Sequence, residues 1–150
     1  MQRREFLTIF MGALAAAMLP INALAAAYNN VWNKPAFETA KLDEAIKALN
    51  ISIEYPSNDI DIVAPDRAEN GAVVQIEITS NIKNTDSIIV LVAHNPTPLI
   101  GTFTFTNGAL PFVITRIKMA EDSDVKVIVK ADGKYFSSSK KVIVLENGCG

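Results

Sequence analysis

From Ile60 onward the apolar positions run with period two. Ile60 and Ile62, then Val74, Ile76 and Ile78, alternate with polar neighbours such as Gln75, Glu77 and Thr79, the pattern of strands that bury one face. Further strands are predicted over residues 87–93, 102–106 with Phe103 and Phe105 on one face, 112–119, 123–130 and 135–145. Asp132-Gly133, between the last two, reads as a tight hairpin turn, because glycine accepts positive φ without steric cost. Asn95-Pro96-Thr97-Pro98 lacks two amide donors and must be a connecting loop rather than a central strand. Before the strands the period changes. Leu42, Ala45, Ile46 and Leu49 recur at i, i+3, i+4 and i+7 with Lys41, Asp43, Glu44 and Lys47 opposite, which predicts one amphipathic helix over residues 35–50 with Pro35 in its first turn. The polar residues 28–34 read as a mobile lead-in to that helix.

About seven strands with no helix between them cannot form a parallel sheet, since each parallel crossover needs roughly a dozen residues or more. The expected fold is therefore all-β: an immunoglobulin-like antiparallel β-sandwich with a short N-terminal helix and a flexible C-terminal tail. With 150 residues, 49% of them hydrophobic, one domain is the natural count and a disordered chain is excluded.

The first segment reads as an address. Arg3 and Arg4 precede Phe6-Leu7, an apolar run over residues 8–21 and small residues ending at Ala27, the order of an export signal with a peptidase site. The run is shorter than the roughly 20 apolar residues a membrane span needs, so no membrane association is expected of the mature chain. The paired arginines resemble the twin-arginine signal, which implies export and places the mature protein in the periplasm. The expected organisation is a signal peptide over 1–27, helix and sandwich over 28–145, and a tail over 146–150.

Charge narrows the functions. Lys and Arg number 14 against 16 acidic residues, a net charge of -2, and removal of Arg3, Arg4 and Glu5 leaves 12 against 15, or -3. Nucleic-acid binding by counterion release needs clustered cations that are missing here. One His and one Cys give too few soft or imidazole ligands for a dedicated zinc or copper site, and no metal or cofactor is expected.

The lone Cys149 lies in Glu146-Asn147-Gly148-Cys149-Gly150, beyond the last strand. In an oxidising compartment an unpaired thiol is an accident, a bridge between chains or a working group. A core role fails because the residue lies outside every predicted strand. Gly148 and Gly150 make its flanks slender, and five residues past Leu145 reach about 17 Å at roughly 3.3–3.6 Å each. Such a thiol can be delivered into another protein's cavity. Glu146 disfavours its thiolate and no cation stands nearby in sequence, so activation is expected from the receiving protein. His94 is the one possible partner for a Cys-His pair, but it borders the proline-rich loop and nothing in the sequence ties it to the tail; a solvated or loop-packing histidine is the expectation. Residues 137–141, Ser-Ser-Ser-Lys-Lys, read as a solvated strand edge on which lysine discourages further pairing. Asn50-Ile51-Ser52 matches a glycosylation sequon, which beside a bacterial-type export signal is read as chance.

An exported sandwich ending in Gly-Cys-Gly, with Pro98-Leu99-Ile100-Gly101-Thr102-Phe103 and Thr115-Arg116-Ile117-Lys118-Met119 before it, resembles the SoxY family of bacterial thiosulfate oxidation. The resemblance implies a subunit that is not itself an enzyme, pairs with SoxZ and holds sulfur intermediates covalently on Cys149, with Gly148 and Gly150 as flexible flanks. It also implies transient contacts with the haem enzyme SoxAX, which couples thiosulfate to the thiol, with the hydrolase SoxB, which releases sulfate, and with SoxCD where present. The family tail usually reads Gly-Gly-Cys-Gly-Gly, whereas here Asn147 stands in the first place and the sequence stops after Gly150. A carrier for another sulfur species, or a non-catalytic exported interaction domain, fits the same fold; the second leaves the glycine-flanked thiol without a purpose.

Overall fold

The computed structural model describes residues 33–146. The signal segment with Arg3 and Arg4, residues 28–32, and Asn147, Gly148, Cys149 and Gly150 lie outside the described residues. Two helices, α1 (Lys34–Glu38) and α2 (Leu42–Ala48), come first. Nine strands follow: β1 (Tyr55–Pro56), β2 (Ile60–Val63), β3 (Arg67–Ala68), β4 (Val74–Ser80), β5 (Thr85–Val92), β6 (Leu99–Thr104), β7 (Phe112–Ile117), β8 (Ser123–Ala131) and β9 (Lys134–Val144).

The seven longer strands are those expected from the alternation, and they form two layers. The larger sheet has the order β1-β9-β8-β5-β6, with β3 also on β9, and the smaller has the order β2-β4-β7. All pairings among the seven longer strands are antiparallel. Three details differ from the expectation. Strand β6 begins at Leu99 rather than Thr102, because Val92 N–H donates to Pro98 O at 2.8 Å and carries the chain straight from the loop into pairing. The two-residue strands β1 and β3 lie parallel to β9, pairings too short to leave a periodic signal. The single helix over 35–50 is two helices.

That break has a local cause. Thr39 caps the end of α1 with extended ψ, and its hydroxyl donates to Lys41 O at 2.9 Å and accepts from Lys41 N–H at 3.2 Å. A threonine that bonds the backbone two residues on offers it an alternative to the helix ladder. Asn33 and Lys34 belong to the helix rather than to a lead-in: Asn33 caps α1 by accepting from Ala36 N–H at 3.3 Å and donates to Ala48 O at 2.9 Å, which ties the helices together. Helix α2 ends in a left-handed Asn50, with Asn50 N–H on Lys47 O and Ile51 N–H on Ile46 O, the Schellman arrangement that satisfies the last carbonyls. Asn50 of the sequon thus serves as a helix stop.

Two apolar clusters meet on opposite faces of the larger sheet. Ile88, Val90 and Val92 of β5 and Val125, Val127 and Val129 of β8 face Ile76 and Ile78 of β4 in the space between sheets. Ile89, Leu91 and Ile128 point the other way and pack with Ala36, Ala45 and Ile51 of the helical segment. The hairpin from β8 to β9 turns at Asp132-Gly133 with φ of 49° and 72°, the left-handed pair a two-residue turn needs.

Ile76 is fully buried between the sheets. Ile76→Ala should therefore destabilise the chain by about 2–5 kcal/mol through lost contact and a residual cavity. Leu110→Ala, at a site 83% exposed, should change stability by no more than about 0.5 kcal/mol. Urea denaturation of the two variants checks the contrast; equal midpoints would overturn this account of the core.

Candidate functional site: the root of the C-terminal segment

Strand β9 leads to the segment that holds Cys149, and its far end is fixed from several directions. On one side it pairs with β8 from Lys134 to Val142. Beyond the last pair, Asp122 continues the contact: its Oδ1 accepts from Val144 N–H at 2.6 Å. On the outer side, β1 holds Phe136 and Ser137 and β3 holds Ile143 and Val144. Leu145 N–H then donates to Ala68 O at 2.9 Å, and Glu146 O accepts from Gly71 N–H at 2.9 Å. The chain is thus anchored up to Glu146, three residues before Cys149.

The loops around that anchor are stitched to one another. Gly71 O accepts from Met119 N–H at 2.8 Å, and Met119 is fully buried. Asn95, a buried polar side chain, donates to Lys118 O at 2.8 Å and accepts from Ala120 N–H at 2.9 Å. Each of these bonds satisfies a loop backbone group that has no sheet partner. Both sequence segments that carried the family resemblance border these loops: Pro98 immediately precedes β6, and Met119, two residues past the end of β7, bonds Gly71.

His94 lies at the same end. Its Nδ1 is 2.7 Å from Asp122 O and 3.7 Å from Glu121 Oε1, its N–H donates to Ser123 Oγ at 3.0 Å, and its side chain is well exposed. The expectation of a solvated, loop-packing histidine holds. The structure adds that the residue bonded to His94 is also the one that caps Val144, a link from the proline-rich loop to the tail root that sequence spacing did not carry. Cys149, Gly148 and Gly150 lie outside the described residues, so no distance from His94 to the thiol is defined.

Of residues 137–141, Ser137 is paired with β1, while residues 138–141 occupy the middle of the β9 edge, between the patches covered by β1 and β3. Lys140 Nζ donates to Asp66 Oδ1 at 2.6 Å, which straps the segment just before β3 to β9. The hydrogen bond and the charge of Lys140 together hold the Asp66 carboxyl below the usual carboxylate range. Among the described residues no three His, Cys, Asp or Glu side chains are grouped to hold a metal, and no helix is long and apolar enough to cross a membrane.

The root contacts at Ala68, Gly71, Asn95, Met119 and Asp122 went unread in the sequence. Each has a backbone atom as at least one partner and joins segments far apart in the chain, and only the resemblance at Thr115 to Met119 hinted at one of them.

The architecture defines an immunoglobulin-like β-sandwich whose last strand ends in an anchored base for the C-terminal segment. The chain belongs to the SoxY family: the model described as sulfur oxidation protein SoxY matches residues 47–149, a span that includes Cys149. It is similar to the sulfur carrier protein SoxY from Chlorobium limicola f thiosulfatophilum, at 32% identity and a TM-score of 0.65, over 75% of this chain and 99% of that one. A CARDB domain from Pyrococcus furiosus, solved in complex with di-metal ions, shares 16% identity over 63% of this chain and 99% of that one, with a TM-score of 0.36; that likeness is too slight to inform fold or function. No curated protein matches the chain.

Because pairing with Lys140 depresses the folded-state pKa of Asp66, its contribution to stability is present above the unfolded carboxylate pKa and is lost as pH falls through the folded value. Lys140→Met should return the Asp66 titration to the ordinary carboxylate range. Carbon-detected NMR titration of the Asp66 carboxyl checks this, and an unchanged midpoint would remove Lys140 as the cause.

Proposed function

We propose that this protein is an exported sulfur carrier, which holds oxidised sulfur intermediates covalently on Cys149 and presents them to partner enzymes. The observation that carries the reading is the family match running through Cys149, on a chain whose only cysteine this is. The likeness to a protein described as a sulfur carrier supports it.

The chemistry asked of the thiol is oxidative coupling. A sulfur–sulfur bond forms between Cys149 Sγ and the terminal sulfur of thiosulfate, the thiol proton goes to solvent, and two electrons pass to a haem acceptor on the partner enzyme. Hydrolysis at the outer sulfur then releases sulfate and leaves a sulfane sulfur on the cysteine. The chain itself supplies the nucleophile and a base that keeps it near one place. Proton removal falls to the partner, since Glu146, three residues before Cys149 in the chain, is an acidic residue and a carboxylate opposes a thiolate. A SoxZ-like subunit completes the carrier, and SoxAX-, SoxB- and SoxCD-like enzymes act on it in turn. Glycine on both sides of Cys149 suits entry into a narrow active site, because it leaves the thiol without bulky neighbours. The periplasm, reached by the twin-arginine route, is the compartment of this work.

Cys149→Ser keeps size and polarity but loses the nucleophile, so it should fold with a stability within about 0.5 kcal/mol of wild type and take up no sulfur. Intact-protein mass spectrometry after incubation with thiosulfate and the matching haem enzyme should find a reductant-sensitive thiosulfonate mass on the wild type alone. Equal labelling of the serine variant would move the attachment site elsewhere. Export should depend on the arginine pair rather than on its charge: Arg3→Lys with Arg4→Lys should leave the precursor in the cytoplasm on cell fractionation. Normal arrival of that variant in the periplasm would reassign the signal to the general secretory route.

A further inference from the structure

The step Asn-Gly occurs twice in the chain, at Asn107-Gly108 and at Asn147-Gly148. Glycine puts no Cβ beside its own amide nitrogen, so in this step the preceding asparagine side chain is open to attack by the backbone. The glycine nitrogen, once it has lost its proton, bonds to the asparagine Cγ and closes a five-membered succinimide, while the Cγ–Nδ2 bond breaks and ammonia leaves. Water then opens the ring at either carbonyl, which gives an aspartate or, with one more carbon in the main chain, an isoaspartate. Nothing is oxidised or reduced, and a neutral amide becomes a carboxylate.

The two steps stand in different surroundings. Asn107 and Gly108 have φ of 55° and 73°, and Ala109 N–H donates to Thr106 O at 3.1 Å, the left-handed two-residue turn. In such a turn ψ of the first residue is about +30°, which carries the following nitrogen to the far side of the Cα–C bond from Cβ. Ring closure needs the two eclipsed. Crowding does not protect this asparagine, since Asn107 is exposed and a Cβ at Gly108 would meet no atom within 4 Å; its turn is what must open first. Asn147-Gly148 follows directly on Glu146, whose carbonyl, held by Gly71, makes the last anchoring bond among the described residues.

We propose that Asn147 is a site of spontaneous deamidation, that the turn between β6 and β7 spares Asn107, and that the carboxylate formed at position 147 slows the reactions of Cys149. The effect on Cys149 rests on the reading of that residue as the working thiol. A charge beside Glu146 makes two neighbouring anions, which disfavour the thiolate. Acting through water over two residues, it should cost about two- to threefold in thiolate at low ionic strength and less as salt screens it. A carrier with this sequence slows with age and needs no modifying enzyme to do so.

Incubation of the processed chain in mildly alkaline buffer, with timed samples digested and mapped by mass, tests the two asparagines. The peptide of residues 142–150 should gain the mass of deamidation about tenfold or more faster than the peptide of residues 84–116 gains it at Asn107, because local opening must precede reaction in the turn. In urea the two rates should converge. Equal rates in the folded chain, or no gain at Asn147, would overturn the proposal, and a difference that persisted in urea would remove the turn as its cause. The charge effect is read on Asn147→Asp, with Asn147→Gly as the form that cannot deamidate. Alkylation of Cys149 by neutral iodoacetamide should be about two- to threefold slower in Asn147→Asp at low salt and should recover as salt is added. Aged wild type should slow in proportion to its deamidated fraction. Equal alkylation rates for the two variants would overturn the charge effect. None of these readouts needs sulfur transfer, so their failure is distinct from failure of Cys149 to carry an adduct.

Discussion

The structure depends on burying both faces of β5. A strand alternates its side chains, and in β5 both sets are apolar from Ile88 to Val92: Ile88, Val90 and Val92 enter the space between the sheets while Ile89 and Leu91 enter the opposite side, where β8 adds Ile128. The smaller sheet covers one face. The other would expose Ile89, Leu91 and Ile128 to water unless something lay over it, and α1 and α2 do. Helices of five and seven residues are far below the roughly 12–15 residues at which an isolated helix becomes even marginal, so they exist because that apolar face holds them. Sheet and helices are each the condition of the other.

Strand β9 carries this central order to the margin. It takes its register from β8, and its free edge is kept from further pairing by β1 at one end, by β3 at the other and by lysines between, the usual means by which proteins protect an exposed edge. The same contacts do a second service. They fix Glu146 in space, and with it the point from which the chain continues toward Cys149.

Around the tail root, the polar groups are arranged to satisfy backbone rather than to react. Asn95 bonds two loop backbone groups, Asp122 caps the amide of Val144, and His94 leans on the carbonyl of the same aspartate. A site built this way is a mounting for the end of β9. The strap from Lys140 to Asp66 belongs to the same mounting, since Asp66 immediately precedes the two residues that pair with the end of β9.

The sequence by itself determined what depends on neighbouring residues. Period-two alternation placed all seven longer strands, Asp132-Gly133 placed the hairpin, the prolines at 96 and 98 placed a loop, and glycines on both sides of Cys149 marked the thiol. These signals are local because side-chain alternation, positive φ and missing amide donors act within a few residues of the chain. The run from Ser87 to Val92 also held the sign of two-sided burial, being apolar at nearly every position, yet it read only as one more strand. The helix break at Thr39 turned on a hydroxyl that chose the backbone two residues ahead, against an apolar spacing that allowed continuation. What only the tertiary structure decided were the parallel patches on β9, the link from His94 through Asp122 to Val144, and the anchoring of Glu146 on Gly71. Each joins segments far apart in sequence and has a backbone atom that every residue possesses on at least one side, so residue identity leaves them unspecified until the two sheets have packed and set which loops lie together.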